Sequence, residues 1–114
     1  MDDPYAQKPW LEHYDDHVPH SLNYSNKTYP ELFREATTHI PSRTAVYYMG
    51  RGITYHELDK LSNRFAHFLK KCGLNPGDTV GANLPNIPAY YISILGIQKA
   101  GCVLTGVRPL LQPK

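Results

Sequence analysis

The positions of apolar residues predict that regular structure begins at Thr28. Thr28-Tyr-Pro-Glu31 has the spacing of a capping box, with proline in the first turn. Apolar residues follow at helical intervals, namely Leu32, Phe33, Ala36 and Ile40. The pattern therefore predicts a first helix over 29–39, which Pro41 ends.

A β-hairpin and a second helix are predicted next. The β-branched and aromatic run 44–49 is followed by the turn Gly50-Arg-Gly52 and the strand-like residues 53–55, which indicates a hairpin. Thr54-Tyr-His-Glu57 is a second capping box, and we expect it to begin a helix that Gly73 ends. The predicted apolar face consists of Leu58, Leu61, Phe65, Phe68 and Leu69, and the polar face of Asp59, Lys60, Arg64, Lys70 and Lys71.

The second half of the chain predicts a βαβ unit. Pro76-Gly77 suits the centre of a type II turn, and residues 79–84 form a predicted strand that Pro85 ends. Asn86 is predicted to cap a helix over 87–100, which Gly101 closes, and residues 102–107 are a continuous apolar run. A strand, a helix and a strand in this order predict two parallel strands with a right-handed crossover.

The third predicted helix has no polar face. Residues 87–100 are apolar almost all round and precede a strand that is apolar on both faces. Such elements need burial on more sides than one βαβ unit and two amphipathic helices can cover. We therefore expect an α/β chain that is part of a larger doubly wound sheet subdomain, with self-association through residues 87–107 when the remainder is missing.

Residues 1–27 precede these elements and have neither a helical nor a strand period. Prolines and large aromatic residues, Trp10 among them, predict an extended arm that lies on a surface. The predicted division is accordingly an arm over 1–27 and a partial α/β subdomain over 28–114.

Composition and charge exclude several classes of protein. Of the 114 residues, 41% are hydrophobic and 19% are charged, which is too apolar for intrinsic disorder. Twelve basic and ten acidic residues are scattered along the chain, and the net charge of +2 argues against a nucleic-acid-binding protein. The apolar stretch 87–97 is too short to cross a membrane, and no targeting segment is recognisable. With only two cysteines, the chain is expected to be cytoplasmic.

Two groups of residues invite a binding-site interpretation and do not support it. Gly50, Gly52 and Tyr55 fail the dinucleotide-binding fingerprint, so a hairpin turn is the preferred interpretation. Three histidines and two aspartates of the arm could ligate a metal on a helix, but a proline among them disfavours that helix and predicts an exposed arm. These residues are His13, Asp15, Asp16, His17 and His20, with Pro19.

Three other features have an ordinary structural interpretation. Cys72 and Cys102 have no activating neighbour and are predicted to be packing residues. Leu84-Pro-Asn86 lies at the carboxyl end of a predicted parallel strand, where open α/β sheets bind ligands, but helix capping is preferred. Tyr90 and Tyr91 are predicted core or subdomain-interface aromatics rather than substrate-pocket residues. We therefore predict no catalytic, cofactor-binding or metal-binding residue.

An ordered series of short blocks resembles the long-chain fatty acyl-CoA ligases, which belong to the adenylate-forming (AMP-binding) superfamily. Each block alone is weak, but their order is specific and covers nearly the whole chain. The blocks are Lys8-Pro-Trp-Leu11, Tyr14, Val18-Pro19, the helix after Thr28, Arg43-Thr-Ala45, Gly52-Ile-Thr-Tyr55, Glu57-Leu58, Leu61-Ser-Asn63, Ala66, Gly73-Leu74, Gly77-Asp-Thr-Val80, Leu84-Pro-Asn86 and Lys99-Ala-Gly101 with Val103. The sequence departs from this family at Arg108-Pro109 and at Leu110-Leu-Gln-Pro113, where relatives usually have Asn-Pro, an aromatic residue and Thr-Pro.

The resemblance implies the N-terminal portion of an ATP-dependent, AMP-forming ligase. A carboxylate would attack ATP to give an acyl-adenylate and pyrophosphate, and coenzyme A would then take the acyl group as a thioester. The family's phosphate-binding loop, aromatic-Glu motif, ribose-binding Asp and catalytic Lys are absent from these 114 residues. No catalytic residue carries over, so the chain alone is expected to be inactive and to bind no cofactor.

For the whole enzyme, the resemblance implies ATP, Mg²⁺, coenzyme A and a fatty acid, and a cytoplasmic or peripheral membrane location. Its partner for these residues would be the remainder of the parent chain. The alternative is a protein-interaction module derived from the family, while a separate small nucleotide-binding domain is disfavoured by the missing glycine pattern.

Overall fold

The computed structural model describes residues 3–110, and its elements follow the predicted order. They are a 3-10 helix Pro9–His13, α1 Tyr29–His39, β1 Thr44–Tyr48, β2 Arg51–Thr54, α2 Tyr55–Lys71, β3 Thr79–Ala82, α3 Pro88–Lys99 and β4 Val103–Gly106. Strands β1 and β2 pair antiparallel, and β3 and β4 pair parallel. The predicted α/β fold is confirmed, and the part of the predicted unit 28–114 that follows Leu110 lies outside the described residues. The handedness of the crossover stays a prediction.

Capping explains why α1 and α2 begin where they were predicted to begin. The Glu31 carboxylate accepts the Thr28 N–H at 2.8 Å, and Thr28 Oγ1 accepts the Glu31 N–H at 3.4 Å. Thr54 and Glu57 form the same pair of bonds at 2.9 and 3.1 Å. Each box satisfies N–H groups that have no acceptor within the helix.

Glycine ends the two longer helices, also as predicted. Gly73 has a φ of 88°, its N–H donates to Lys70 O at 3.0 Å, and the next N–H, of Leu74, donates to Leu69 O at 3.3 Å. Gly101 ends α3 in the same way with a φ of 77°. This is the Schellman pattern, which requires the left-handed conformation that glycine adopts without a side-chain clash.

The core consists of two hydrophobic clusters. One lies between α1, the hairpin, α2 and α3, and its buried residues are Phe33, Leu58 and Leu95. The other lies between α2, α3 and the parallel strands, and its buried residues are Ala66, Leu69, Ile97, Ala100 and Cys102. Helices α2 and α3 therefore take part in both clusters.

The predicted apolar face of α2 was partly wrong. Its buried residues are Leu58, Ser62, Ala66 and Leu69, whereas Leu61 and Phe68 are exposed. Ser62 and Ala66 occupy the centre of this face, where α3 approaches closely through Gly96, and Leu61 and Phe68 lie outside the interface. Asp59, predicted on the polar face, is half-buried against α3.

The start of α3 also differs from prediction. Ile87 is the N-cap residue, with φ −119° and ψ 164°, and no side chain caps the helix. Asn86 is therefore not the cap. Proline at position 88 forces the residue before it into an extended conformation, which places the helix boundary at Ile87. The parallel strands are shorter than predicted, since β3 ends at Ala82 and β4 at Gly106.

Three further differences concern the turn, the arm and one cysteine. The hairpin turns at Met49-Gly50, both with positive φ, so that Arg51 and Gly52 belong to β2. The arm is not extended throughout, because local hydrogen bonds form turns and a 3-10 helix, and nearly all of its described side chains are exposed. Cys102 is buried as predicted, whereas Cys72 is exposed and is not a packing residue.

Candidate functional site

The carboxyl edge of the parallel sheet brings together several residues that follow the strands. Leu84-Pro-Asn86 connects β3 to α3, and Val107 continues from β4 with its N–H donating to Ala82 O at 2.9 Å. Arg108 follows and is exposed. This edge is where open α/β sheets bind ligands.

Tyr90 faces this edge from the first turn of α3. A Cβ at Gly106 would lie 3.4 Å from Tyr90 Oη, so the glycine leaves room for the phenol beside the end of β4. Tyr90 is half-buried and stacks edge-on against Tyr91, which is 40% exposed. Tyr91 and Asn86 also line a cavity of about 210 Å³ beside β1. Of the two roles predicted for Tyr91, core or subdomain interface, its exposure disfavours the core, and the interface role stays a prediction.

A polar cluster around Lys99 lies between α2 and α3. Lys99 Nζ donates to Asp59 Oδ1 at 2.7 Å, to Ser62 Oγ at 2.8 Å and to Asn63 Oδ1 at 2.9 Å. It also lies 5.4 Å from the centre of the Phe33 ring, within cation–π range. The Lys99 side chain is only 13% exposed, so these groups replace its hydration.

The sequence interpretation did not predict this cluster. Ser62, Asn63 and Lys99 come from two of the family-like blocks, Leu61-Ser-Asn63 and Lys99-Ala-Gly101, which lie far apart along the chain, whereas Asp59 lies outside both blocks. The available signal was a lysine in the last turn of an apolar helix, together with Asp59, Ser62 and Asn63 at helical spacing on α2. The geometry indicates an interhelical anchor rather than a reactive lysine, because every Nζ contact is with protein oxygen or the Phe33 ring.

A larger cavity of about 630 Å³ lies between the start of α1 and the ends of α2 and α3. Basic side chains, Arg34, His67 and Lys70, line it, and Thr28 and Glu31 of the first capping box border it. Gln98 lines it as well, and its buried Oε1 has no hydrogen-bond partner within the described part of the chain. Polar and charged side chains therefore dominate the lining of this cavity.

Within residues 3–110, no three His, Cys, Asp or Glu side chains come together, so this part of the chain offers no all-protein ligand set for the Mg²⁺ that the family resemblance implies for the whole enzyme. In the arm, the His20 ring stacks edge-on against Tyr14. Across the same residues, no helix is long and apolar enough to cross a membrane.

Comparison with known proteins decides the family. The family described as AMP-binding enzyme matches residues 33–114. The chain belongs to that family. Among curated proteins, it is 35% identical over 105 residues to the long-chain-fatty-acid–CoA ligase of Bacillus subtilis, covering 92% of this chain and 19% of that protein. The Salmonella typhimurium enzyme of the same name is 34% identical over 110 residues, covering 95% of this chain and 20% of that protein.

The AMP-binding fold is also found in solved structures. The N-terminal subdomain of Klebsiella oxytoca NpsA, in complex with anthranilyl-AMSN, superimposes with a TM-score of 0.74 and 31% identity, covering 77% of this chain and 23% of that chain. The chain thus spans about one fifth of the length of the relatives that it matches. The small α/β unit corresponds to part of the N-terminal subdomain of adenylate-forming enzymes.

Proposed function

We propose that these residues form the N-terminal part of an ATP-dependent, AMP-forming ligase that joins a long-chain fatty acid to coenzyme A. Similarity to two long-chain-fatty-acid–CoA ligases over more than nine-tenths of this chain is the observation that supports the proposal. The reaction proceeds through an acyl-adenylate and releases pyrophosphate. ATP, Mg²⁺ and coenzyme A bind to the whole enzyme, which we expect in the cytoplasm.

The role of this part is structural support for the subdomain. The Lys99 cluster joins α2 to α3, and the parallel strands that rest on these helices leave an outer face uncovered. Thr79, Gly81, Val103 and Thr105 on that face are exposed, and Val103 is 51% exposed. Further strands and helices of the parent chain would cover this face, as the low coverage of the relatives indicates.

The uncovered face also favours the second candidate, an interaction module whose sheet binds a separate partner protein. The transcript distinguishes the two candidates. A reading frame that continues after Lys114 into a Ser/Thr/Gly-rich phosphate loop supports the ligase, and a stop codon at that point supports the module.

Activity is tested by pyrophosphate release with ATP, Mg²⁺ and a long-chain fatty acid. We expect none from the purified 114-residue chain and robust release from the parent enzyme, because this chain lacks the donors that position the phosphates. Pyrophosphate release above background from the pure chain would contradict the proposal that these 114 residues alone are inactive. Failure of the parent to activate any fatty acid would contradict the ligase itself.

A further inference from the structure

The tip of the β1–β2 hairpin combines backbone strain with an exposed apolar side chain. Met49 has a φ of 47° and Gly50 a φ of 77°, which is the geometry of a two-residue type I′ turn. Asn, Asp or Gly suits the first position, whereas a methionine there is strained. The Met49 side chain is nevertheless 86% exposed, so no packing within the described residues explains it.

Aromatic side chains flank this methionine. Tyr47 is 73% exposed, and Tyr48 is exposed on the opposite face of β1, because successive residues of a strand point to opposite sides. Tyrosine combines an apolar ring with a polar hydroxyl, which suits the boundary between water and a lipid layer. The tip is thus a convex apolar projection with an amphipathic border.

Cations lie beside the tip. Arg51 opposes Tyr48 in the hairpin and lines a cleft of about 240 Å³ together with Lys60 and Arg64 of α2. The floor of this cleft includes Ile53 and Leu61, and the cleft continues toward Tyr48 through a neighbouring cavity of about 330 Å³.

Little negative charge offsets these cations. None of the three makes an ion pair within the span 3–110, where the two ion pairs are Lys27–Glu35 and Lys99–Asp59. Glu57 is the one carboxylate that lines the cleft. It accepts the Thr54 N–H in the capping box and keeps its charge, which acts on Arg51, so one negative charge faces three positive charges there. The cleft therefore presents an excess of positive charge beside the apolar tip.

We propose that the hairpin tip and the cleft beside it form a docking surface for an anionic lipid membrane. Met49 and Tyr47 insert among the lipids at the interface, while Arg51, Lys60 and Arg64 bind anionic headgroups. A membrane is favoured over a folded protein because the apolar residues project outward, and a protein partner would need a cavity matched to them. This inference does not depend on the ligase activity.

Vesicle co-sedimentation of the full chain tests the proposal. We expect binding to mixed phosphatidylcholine–phosphatidylserine vesicles, much weaker binding to pure phosphatidylcholine vesicles, and a decrease with added salt. Met49→Asn relieves the backbone strain, so its thermal stability should equal or exceed that of the original chain while its binding falls at least about fivefold. This variant separates loss of binding from loss of folding.

Charge variants complete the test. Arg51→Gln and Arg64→Gln should each weaken binding about fivefold, the fold-change expected for one cation near an anionic surface. The matched control is Lys70→Gln, which lies on α2 but lines the cavity beside α1 and should change binding less than about twofold. Equal binding to both vesicle types, or unchanged binding by Met49→Asn, would overturn the proposal. The proposal would also be overturned if the chain formed a dimer in the absence of vesicles and Met49→Asn converted that dimer to a monomer. The hairpin tip would then contact a second copy of the chain.

Discussion

Lys99 Nζ donates to Ser62 Oγ over 2.8 Å, and Ser62 is completely buried. On α2, Ser62 lies one turn from Leu58 and one turn from Ala66, which belong to different hydrophobic clusters. The polar contact is therefore the point at which the two clusters meet. It joins α3 to α2 in a single register, because a shift of either helix would leave a buried polar group without a partner.

Replacing Lys99 by methionine should lower the free energy of unfolding by about 1–3 kcal/mol. Methionine retains the length of the side chain, but Asp59 and Ser62 lose their shared donor while they remain largely enclosed. Denaturant unfolding followed by circular dichroism measures the change.

Lys71→Met is the matched control for this prediction. Lys71 lies in the last turn of α2 and is exposed, so the same substitution there should alter stability by less than about 0.5 kcal/mol. Equal effects of the two substitutions would show that the Lys99 cluster contributes no more than an ordinary surface lysine.

Gly96→Ala should destabilise the chain, although alanine is the better helix former. A Cβ at position 96 would lie 2.6 Å from Phe65 Cδ1 and 3.1 Å from the backbone oxygen of Ser62. Overpacking of this kind costs about 1–3 kcal/mol, which exceeds the gain in helix propensity of about 1 kcal/mol. Thermal unfolding of the variant measures the net loss.

Gly81→Ala provides the comparison for that substitution. A Cβ at Gly81 would meet only Val107 Cγ2, at 3.8 Å, which is an ordinary contact. Stability should stay the same or rise slightly. If Gly96→Ala were as stable as Gly81→Ala, the close approach of α2 and α3 would be incorrect.

The close approach of α2 and α3 also separates the parts of the fold that local sequence could predict from the part that it could not. The capping boxes at Thr28 and Thr54 and the glycine at position 73 act within a few residues, so local sequence determined them correctly. The buried face of α2 depends on the surface of α3, which local periodicity does not contain. Leu61 was therefore expected inside, whereas Ser62 is the residue that fits against Gly96 and Lys99.

Two elements begin or turn at other residues than predicted, and in both cases the cause lies in the neighbouring residues. Asn86 is a good capping residue, but the constraint that Pro88 imposes on the preceding residue outweighs this preference and makes Ile87 the N-cap. At the hairpin, two positive φ values place the turn at Met49-Gly50, although methionine is an unusual residue there. The Lys99 cluster was missed because Lys99 lies on a different helix from Asp59, Ser62 and Asn63, and only the packing of α3 against α2 brings them together.

Glu57→Gln should change the pH dependence of stability. The hydrogen bond from the Thr54 N–H lowers the pKa of Glu57 below its ordinary value of 4.5. A carboxylate with a lowered pKa in the folded state stabilises the fold at pH values above the unfolded value, and this contribution is lost as pH falls through the folded value. The variant should therefore be less stable than the original chain at neutral pH and converge with it in acid.

Thermal unfolding between neutral and acidic pH tests the prediction. Glu12→Gln is the control, because Glu12 lies in the 3-10 helix of the arm and makes no capping box. Its stability should follow that of the original chain throughout the range. A constant difference between Glu57→Gln and the original chain at every pH would contradict the role of the Glu57 charge.

The outer face of the parallel sheet predicts the behaviour of the isolated chain. Within residues 3–110, β3 and β4 pair only with each other, so each has one edge without a partner. Val103 is 51% exposed and Val107 is 38% exposed on or beside β4. Unpaired edges beside exposed β-branched residues promote strand pairing between copies, so we expect the purified chain to self-associate through this region.

Val103→Lys should reduce this association, because a lysine on an edge strand opposes pairing with another chain. Size-exclusion chromatography with light scattering should show a shift toward monomer, with an unchanged circular dichroism spectrum. Val18→Lys introduces the same charge on the exposed arm and should leave the association unchanged. A chain that is already monomeric and soluble at high concentration would show that the face needs no partner, and the proposal that a parent chain covers it would then rest on similarity to the relatives alone.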